Sequence, residues 1–139
     1  MLNEKQHILS KNIANPKQVF LIDACGALLT TLSLLVILAP LEQYFGMPKK
    51  TLYLLSGLAF CLFTYSIICY RFNRLDWKPF LIILIVFNVI YSLISIGLII
   101  TYSSRITPLG WVYFTLELLV ICLIVILEYK SYLNQKHVQ

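Results

Sequence analysis

Apolar residues fall into four long uninterrupted runs, and polar residues collect between and outside them. The runs cover residues 19–41, 51–70, 79–102 and 108–128. Each is close to the length of about 20 residues that a helix needs to cross a hydrocarbon core. Because an isolated strand in lipid would leave its backbone groups unpaired, runs of this length predict helices. The alternating segments of about ten residues that are typical of a β-barrel do not occur in the pattern.

The polar connections between the runs are short and cover residues 42–50, 71–78 and 103–107. Loops of this length make consecutive helices antiparallel neighbours. We therefore expect an all-α membrane protein, in which four antiparallel transmembrane helices form an up-down bundle. Thr107 precedes Pro108, and this pair predicts an N-cap followed by a proline at the first helical position.

The chain divides into a polar N-terminal tail at residues 1–18, the bundle at residues 19–129 and a C-terminal tail at residues 130–139. The first apolar run is too long for the apolar region of a signal peptide, so we expect it to be a retained helix. Neither tail is long enough for a soluble domain, and we expect any function to lie in the bundle.

The composition supports a membrane location. Of the 139 residues, 60% are hydrophobic and 12% are charged, with a mean hydropathy of +0.84. A soluble domain carries about 25% charged residues. The composition therefore argues against soluble enzymes, secreted disulfide scaffolds and disordered tails.

Basic residues are distributed unevenly between the two predicted sides of the membrane. Eight lie in the tails and the middle connection, and three lie in the other two connections. The eight are Lys5, Lys11, Lys17, Arg71, Arg74, Lys78, Lys130 and Lys136, and the three are Lys49, Lys50 and Arg105. The positive-inside rule then predicts that both termini are cytoplasmic. This bias also accounts for the net charge of +5, and no basic surface is large enough to indicate a nucleic-acid partner.

The sequence lacks the residues that several kinds of catalytic or cofactor-binding site require. The two histidines, His7 and His137, lie in the tails, so no histidine is available inside the membrane to hold haem, copper or zinc. All four cysteines lie within apolar runs, without a Cys-x-x-Cys pair. The sequence has no phosphate-binding glycine-rich loop and no nucleophile elbow. We therefore expect no metal and no cofactor, and the sequence favours a role other than catalysis.

Polar residues inside the predicted helices are the candidate functional groups. Asp23, Tyr65, Asn88, Tyr91 and Glu117 are the candidate ligand- or proton-binding residues. An ionisable group at the bilayer centre costs at least about 2.5–3.5 kcal/mol, so it should face other helices. At 1.5 Å per residue, Asp23 is expected about 6 Å and Glu117 about 16 Å from the cytoplasmic boundary. The sequence thus predicts a polar pocket that faces the cytoplasm.

Helical spacing places these residues on shared faces. The two stripes are Asp23, Gly26, Ala27 and Thr30 on the first helix, and Asn88, Tyr91, Ser92 and Ser95 on the third. The alternative interpretation is that these groups only hold helices together through hydrogen bonds. Asp23 and Glu128 would then reach water at the interface. Glu117 fits this alternative least well. A glutamine could form the same hydrogen bonds, so a glutamate is needed only if its proton or its charge is used.

Short strings of the sequence resemble a known group. These are residues 20–23 (Phe-Leu-Ile-Asp) with Gly26, residues 45–48 (Phe-Gly-Met-Pro), residues 88–91 (Asn-Val-Ile-Tyr) and residues 109–111 (Leu-Gly-Trp) with Tyr113 and Glu117. They resemble small four-helix inner-membrane proteins of bacteria, a group to which no activity is assigned. The resemblance covers roughly residues 20–128 and implies a multi-pass protein of the bacterial cytoplasmic membrane. Small multidrug-resistance transporters also have four helices, but their carboxylate lies in the middle of the first helix.

Three functions are compatible with the sequence. In the first, a small transporter or ligand-binding bundle binds a small cation or protons through Asp23 and Glu117, and Asn88, Tyr65 and Tyr91 orient the ligand. In the second, the chain is a non-catalytic interaction partner, assembly factor or membrane-perturbing effector, and it contacts a second copy or another membrane protein within the lipid bilayer. The third is a lipid-modifying enzyme, which a depth difference of about 10 Å between the two carboxylates disfavours.

The charge distribution yields a prediction of topology. A reporter fused after Gln139 should lie in the cytoplasm, and a reporter inserted within residues 46–50 should lie on the opposite side. Paired phosphatase and fluorescent-protein fusions measure this directly. A C-terminal fusion that is active outside the cytoplasm would reverse the predicted orientation.

Overall fold

The computed structural model of the protein describes residue 4, residues 16–72 and residues 78–138. Its helices are α1 at Pro16–Leu32, which continues as a π-helical segment at Ser33–Leu38, then α2 at Glu42–Phe45, α3 at Lys49–Arg71, α4 at Lys78–Thr101 and α5 at Pro108–Val138. Lys5, His7, Lys11 and Arg74, on which part of the sequence argument depends, lie outside the described residues, as do the side chains of Lys136 and His137.

Four of the helical segments are long and apolar enough to cross a membrane. They are Lys17–Leu38, Lys49–Arg71, Lys78–Thr101 and Pro108–Leu133. The prediction of four apolar helices is confirmed, and the chain is consistent with a small multi-pass membrane protein.

The outer surface of these helices is apolar. Leu29, Val36, Ile100 and Leu123 each expose more than three-fifths of their side chains, and they come from three different helices. A water-soluble protein rarely exposes contiguous apolar surface of this extent. The arrangement suits lipid, with hydrocarbon outside and the polar side chains within.

The long helices pack around a common core. Helix α1 packs most extensively on α3, and further contacts join α4 to α5, α1 to α5 and α3 to α4. Phe20, Leu34, Leu55, Leu84 and Phe114 are fully or almost fully buried where these helices meet. Each long helix therefore packs mainly on two others, and every helix can direct one face towards the centre.

Helix α5 is longer than the apolar run that predicts it. The run ends near Glu128, whereas the helix continues to Val138 through most of the residues assigned to a C-terminal tail. After Gly110 the segment contains no glycine or proline, the residues that most readily end a helix. Hydropathy marks where a helix leaves the apolar region, and it does not mark where the helix ends.

The π-helical segment of α1 immediately precedes Pro40. Its end is closed by the Ala39 N–H, which donates to the carbonyl oxygen of Leu34 at 2.9 Å, five residues back. Pro40 has no N–H, and in an α-helix its ring would clash with the carbonyl four residues earlier. The widened turn lets the helix reach Pro40 before the chain turns into α2.

Helix α2 is fastened to the start of α5 through Phe45 and Thr107. The Thr107 N–H donates to the Phe45 carbonyl oxygen at 3.2 Å, and the Thr107 hydroxyl donates to the carbonyl oxygen of Tyr44. The same hydroxyl oxygen accepts from the Gly110 N–H at 3.3 Å. Phe45 also packs edge-on against Tyr113, with ring centroids 6.2 Å apart. Thr107 is therefore the N-cap that the sequence predicts, and we call this set of contacts the Phe45–Thr107 clasp.

The clasp requires a glycine at position 46. Gly46 has a φ of 83°, in the left-handed region that side chains disfavour. A Cβ at this position would lie 1.9 Å from the carbonyl oxygen of Arg105, which is backbone and cannot move aside cheaply. The chain can turn from α2 into α3 only because position 46 has no side chain.

Gly46→Ala should lower the free energy of unfolding by at least about 2 kcal/mol, because backbone strain and the clash with Arg105 add together. Thermal unfolding of the purified protein in detergent measures the loss. Gly97→Ala is the matched control, since a Cβ there meets nothing within 4 Å. Equal effects of the two substitutions would contradict the proposed role of the clasp.

Candidate functional site

The centre of the candidate site is the side-chain amide of Asn88 on α4. Its Nδ2 donates to Asp23 Oδ1 on α1 at 2.8 Å and to Glu128 Oε1 on α5 at 2.9 Å. A primary amide has two N–H groups, and both are used here. One side chain therefore links three helices.

Ser66 on α3 completes the arrangement, because its hydroxyl donates to Asp23 Oδ2. The exposed fractions are 2% for Asp23, 0% for Ser66, 4% for Asn88 and 0% for Glu128. Each of the four long helices thus contributes one buried polar side chain. We call Asp23, Ser66, Asn88 and Glu128 the carboxyl cluster.

The two carboxyl groups of the cluster lie close together. Asp23 Oδ1 and Glu128 Oε1 accept from the same nitrogen, so these two oxygens are no farther apart than the sum of the two hydrogen-bond lengths. Two ionised carboxyl groups at this separation repel each other, and burial strengthens the repulsion.

The hydrogen-bond donors to the buried carboxyl groups are neutral side chains. Asp23, Glu117 and Glu128 accept from serine, asparagine and tyrosine. The carboxyl group of Glu42 has a different environment, since it lies at an exposed position 3.9 Å from Lys49 Nζ.

A second buried contact joins α4 to α5. The Tyr91 hydroxyl donates to Glu117 Oε1 at 2.7 Å, and both side chains are buried. Glu117 Oε2 is also buried and has no hydrogen-bond partner among the described residues. We call Tyr91 and Glu117 the tyrosine–glutamate pair.

A small cavity lies between the carboxyl cluster and the tyrosine–glutamate pair. Its volume is about 20 Å³, enough for one water molecule. Asp23, Asn88 and Tyr91 contribute to its wall, together with Gly26 and Thr30 of the stripe on α1. Both predicted polar stripes therefore meet at this cavity.

The five predicted site residues fall into three places. Asp23 and Asn88 belong to the carboxyl cluster, and Tyr91 and Glu117 form the second pair. Tyr65 lies elsewhere, because its hydroxyl donates to the backbone oxygen of Phe80 at 3.1 Å and its ring packs edge-on against Phe87. Their roles in binding a ligand stay predictions.

Ser66 and Glu128 belong to the carboxyl cluster but not to the predicted site. The expectation that Glu128 reaches water is wrong, since the side chain is fully buried and faces Asn88. Asp23 is likewise buried rather than open to water, and it shares the Asn88 donor with Glu128, whereas Glu117 accepts from Tyr91. The physical reason is the continuation of α5, which leaves Glu128 ten residues inside the helix end.

Ser66 could have been found from its position on α3. The residues of α3 that lie buried against its neighbours include Leu55, Ala59, Leu62, Ser66 and Cys69, spaced three or four residues apart. Ser66 is thus a polar residue within an otherwise apolar or small buried stripe. This pattern marks the residue as facing the interior, but it does not identify the helix that the residue meets.

Replacing Asn88 with leucine should lower the free energy of unfolding by about 3 kcal/mol or more, since both carboxyl groups then lose a donor in a buried site. Ser92→Ala is the control, because the Ser92 hydroxyl donates only to the carbonyl oxygen of Asn88 in its own helix. It should cost less than about 1 kcal/mol. Thermal unfolding in detergent separates the two, and a similar small loss for both would show that the bridge contributes little.

Comparisons of the chain with protein-family models, with curated proteins and with solved structures find no match. Function is therefore inferred from the geometry of the carboxyl cluster and its surroundings.

Proposed function

We propose that this protein is a small proton-binding bundle, that the Asp23–Glu128 pair is its proton site, and that proton movement through the bundle is its activity. One observation carries the proposal: two buried carboxyl groups are bridged by the single amide of Asn88, and the donors to their oxygens are the neutral side chains of Asn88 and Ser66.

Electrostatics supports a bound proton. Two negative charges held by one amide repel each other, and burial removes most of the water that would screen them. A single proton bound by the pair halves the charge and so removes this repulsion. A proton bound in this way belongs to the pair rather than to either residue.

The hydrogen bonds of the cluster favour a proton over a metal cation. Three of its four carboxyl oxygens already accept from Ser66 or Asn88, and Glu128 Oε2 alone has no partner among the described residues. A calcium ion, for example, takes about six to eight oxygen ligands. The described residues also contain no group of three or more histidine, cysteine, aspartate or glutamate side chains that could hold a metal ion.

Helix packing alone does not account for the carboxyl groups. A polar contact between membrane helices contributes about 0.6 kcal/mol on average. Burying an ionised carboxyl group costs more than this, because its charge loses hydration. Asparagine and glutamine would form similar bridges at lower cost. Two carboxyl groups in one buried cluster are therefore better explained by a function that uses their proton.

The proposal includes the arrangement of the bundle in the membrane. We place the four long helices in antiparallel, up-down order with both termini in the cytoplasm, in a bacterial cytoplasmic membrane. Short connections and the distribution of lysine and arginine support this orientation. The Asp23–Glu128 pair would then lie nearer to the cytoplasm than Glu117.

The pH dependence of stability tests the proton site. A proton that binds only to the folded protein stabilises it by mass action, so the melting temperature of the wild type should fall as the pH rises from about 5 to about 9. Glu128→Gln keeps the shape, and its amide oxygen can still accept from Asn88, but it has no titrating proton. The difference between wild type and Glu128→Gln should therefore change with pH.

Infrared difference spectra provide a direct readout. The carbonyl stretch of a protonated carboxyl group should be present in the wild type, and it should weaken in Glu128→Gln. Glu42→Gln is the control, because this carboxylate is exposed and pairs with Lys49. Sodium-dependent stabilisation at fixed pH would indicate a metal cation instead. A wild type that matches Glu128→Gln at every pH would contradict the proposal and favour a non-catalytic interaction partner.

A further inference from the structure

We infer that Tyr91 and one water molecule carry a proton between the carboxyl cluster and Glu117, so that Glu117 is the second station of a relay. The inference rests on the proposed function, because the Asp23–Glu128 pair is the first station.

Tyr91 is the residue that connects the two stations. It contributes to the wall of the water-sized cavity beside Asp23 and Asn88, and its hydroxyl donates to Glu117 Oε1 at 2.7 Å. Asn88 and Tyr91 are three residues apart on α4, so they lie on the same face about 4.5 Å apart along the axis. The phenol thus bridges from the level of the cluster to the level of Glu117.

The cavity suits a water molecule in both size and polarity. A water needs about 10–15 Å³ and two to four polar partners, and the cavity offers about 20 Å³ with Asp23, Asn88, Tyr91 and Thr30 in its wall. A water there would lie between a carboxyl group that holds a proton and a hydroxyl that can accept one.

The apolar surroundings leave the Tyr91 hydroxyl as the polar route for the proton. Tyr91 and Leu62 also line a larger cleft of about 190 Å³ between α3 and α4. The remaining wall of this cleft is formed by Leu58, Cys61, Phe87, Ile90 and Ile94. Carbon and sulfur atoms cannot hold a chain of water molecules, so the polar route from the cavity continues through the phenol oxygen to Glu117.

The transfer conserves atoms and charge. The O–H bond of the protonated Asp23–Glu128 pair breaks, and the proton passes to the water. The water gives one of its own protons to the Tyr91 oxygen, and Tyr91 gives its original proton to Glu117 Oε1. The pair loses one proton, Glu117 becomes a neutral acid, and the water and the tyrosine end as they began. The unpartnered Glu117 Oε2 offers a further oxygen for onward transfer.

Proton flux into liposomes tests the relay. Purified protein is reconstituted, a potassium gradient with valinomycin sets the membrane potential, and an internal pH dye records proton entry. Tyr91→Phe removes only the hydroxyl, and it should lower the protein-dependent flux by about a hundredfold, since a positioned proton carrier contributes about this much. Tyr53→Phe is the control and should stay close to wild type, because the Tyr53 side chain is exposed on α3 and lies outside the cluster, the cavity and the tyrosine–glutamate pair.

A second variant covers the case in which Tyr91→Phe does not fold. Glu117→Gln still accepts from the Tyr91 hydroxyl but cannot take up a proton, so it should lose flux to the same degree. Melting temperatures measured on the same samples show that each variant is folded.

The possible results distinguish failure of the relay from failure of the proton site. The relay predicts that Tyr91→Phe loses flux while it keeps the infrared signal of the protonated pair and the pH-dependent stability. Wild-type flux in Tyr91→Phe, or in a folded Glu117→Gln, overturns the relay. Wild-type liposomes that are no more permeable to protons than empty ones also overturn it, even if the infrared signal shows that the pair binds a proton. If the wild type shows no infrared signal of a protonated carboxyl group, the proton site itself is overturned.

Discussion

The bridge from Asn88 to Asp23 and Glu128 is the interaction on which the rest of the interior depends. It brings two carboxyl groups from different helices to one nitrogen, and this is tolerated only if every nearby donor is aligned with them. Ser66 supplies the donor from the fourth helix. A rotation of any one of the four helices would leave a buried carboxyl oxygen without its donor. The bridge thus sets the rotational positions of the helices as well as their proximity.

The hydrophobic effect does not set those positions in lipid, because hydrocarbon outside the bundle is as favourable to a leucine as a leucine inside. The polar contacts therefore have more influence on helix rotation than they would have in water. They act at three places along α5. The Phe45–Thr107 clasp holds its first turn, and Glu128 is held about six turns further on. Between these points lie Tyr91 and Glu117, whose contact joins α5 to α4 midway.

The four helices can be predicted from the sequence, because length and apolar composition are properties of each segment by itself. Thr107 was predictable for the same reason, since a cap is a local arrangement. The partners of Asp23 were not predictable, because they depend on the relative rotation of four helices. Glu128 looked like an interface residue, since Lys130 follows within one turn and hydropathy cannot show that α5 continues to Val138. Asn88 and Tyr91 were found because their spacing on one helix is itself the signal.

The π-helical segment at Ser33–Leu38 places one extra residue in a turn of the first membrane helix. A widened turn of this kind absorbs one extra residue without breaking the helix. Removing one residue would restore regular α-helical pairing, and the residues beyond that point would keep their orientation relative to Asp23. The carboxyl cluster lies on one side of the segment and the clasp on the other. The segment therefore lets both sets of contacts form in a chain that has one residue more between them than an unbroken α-helix would need.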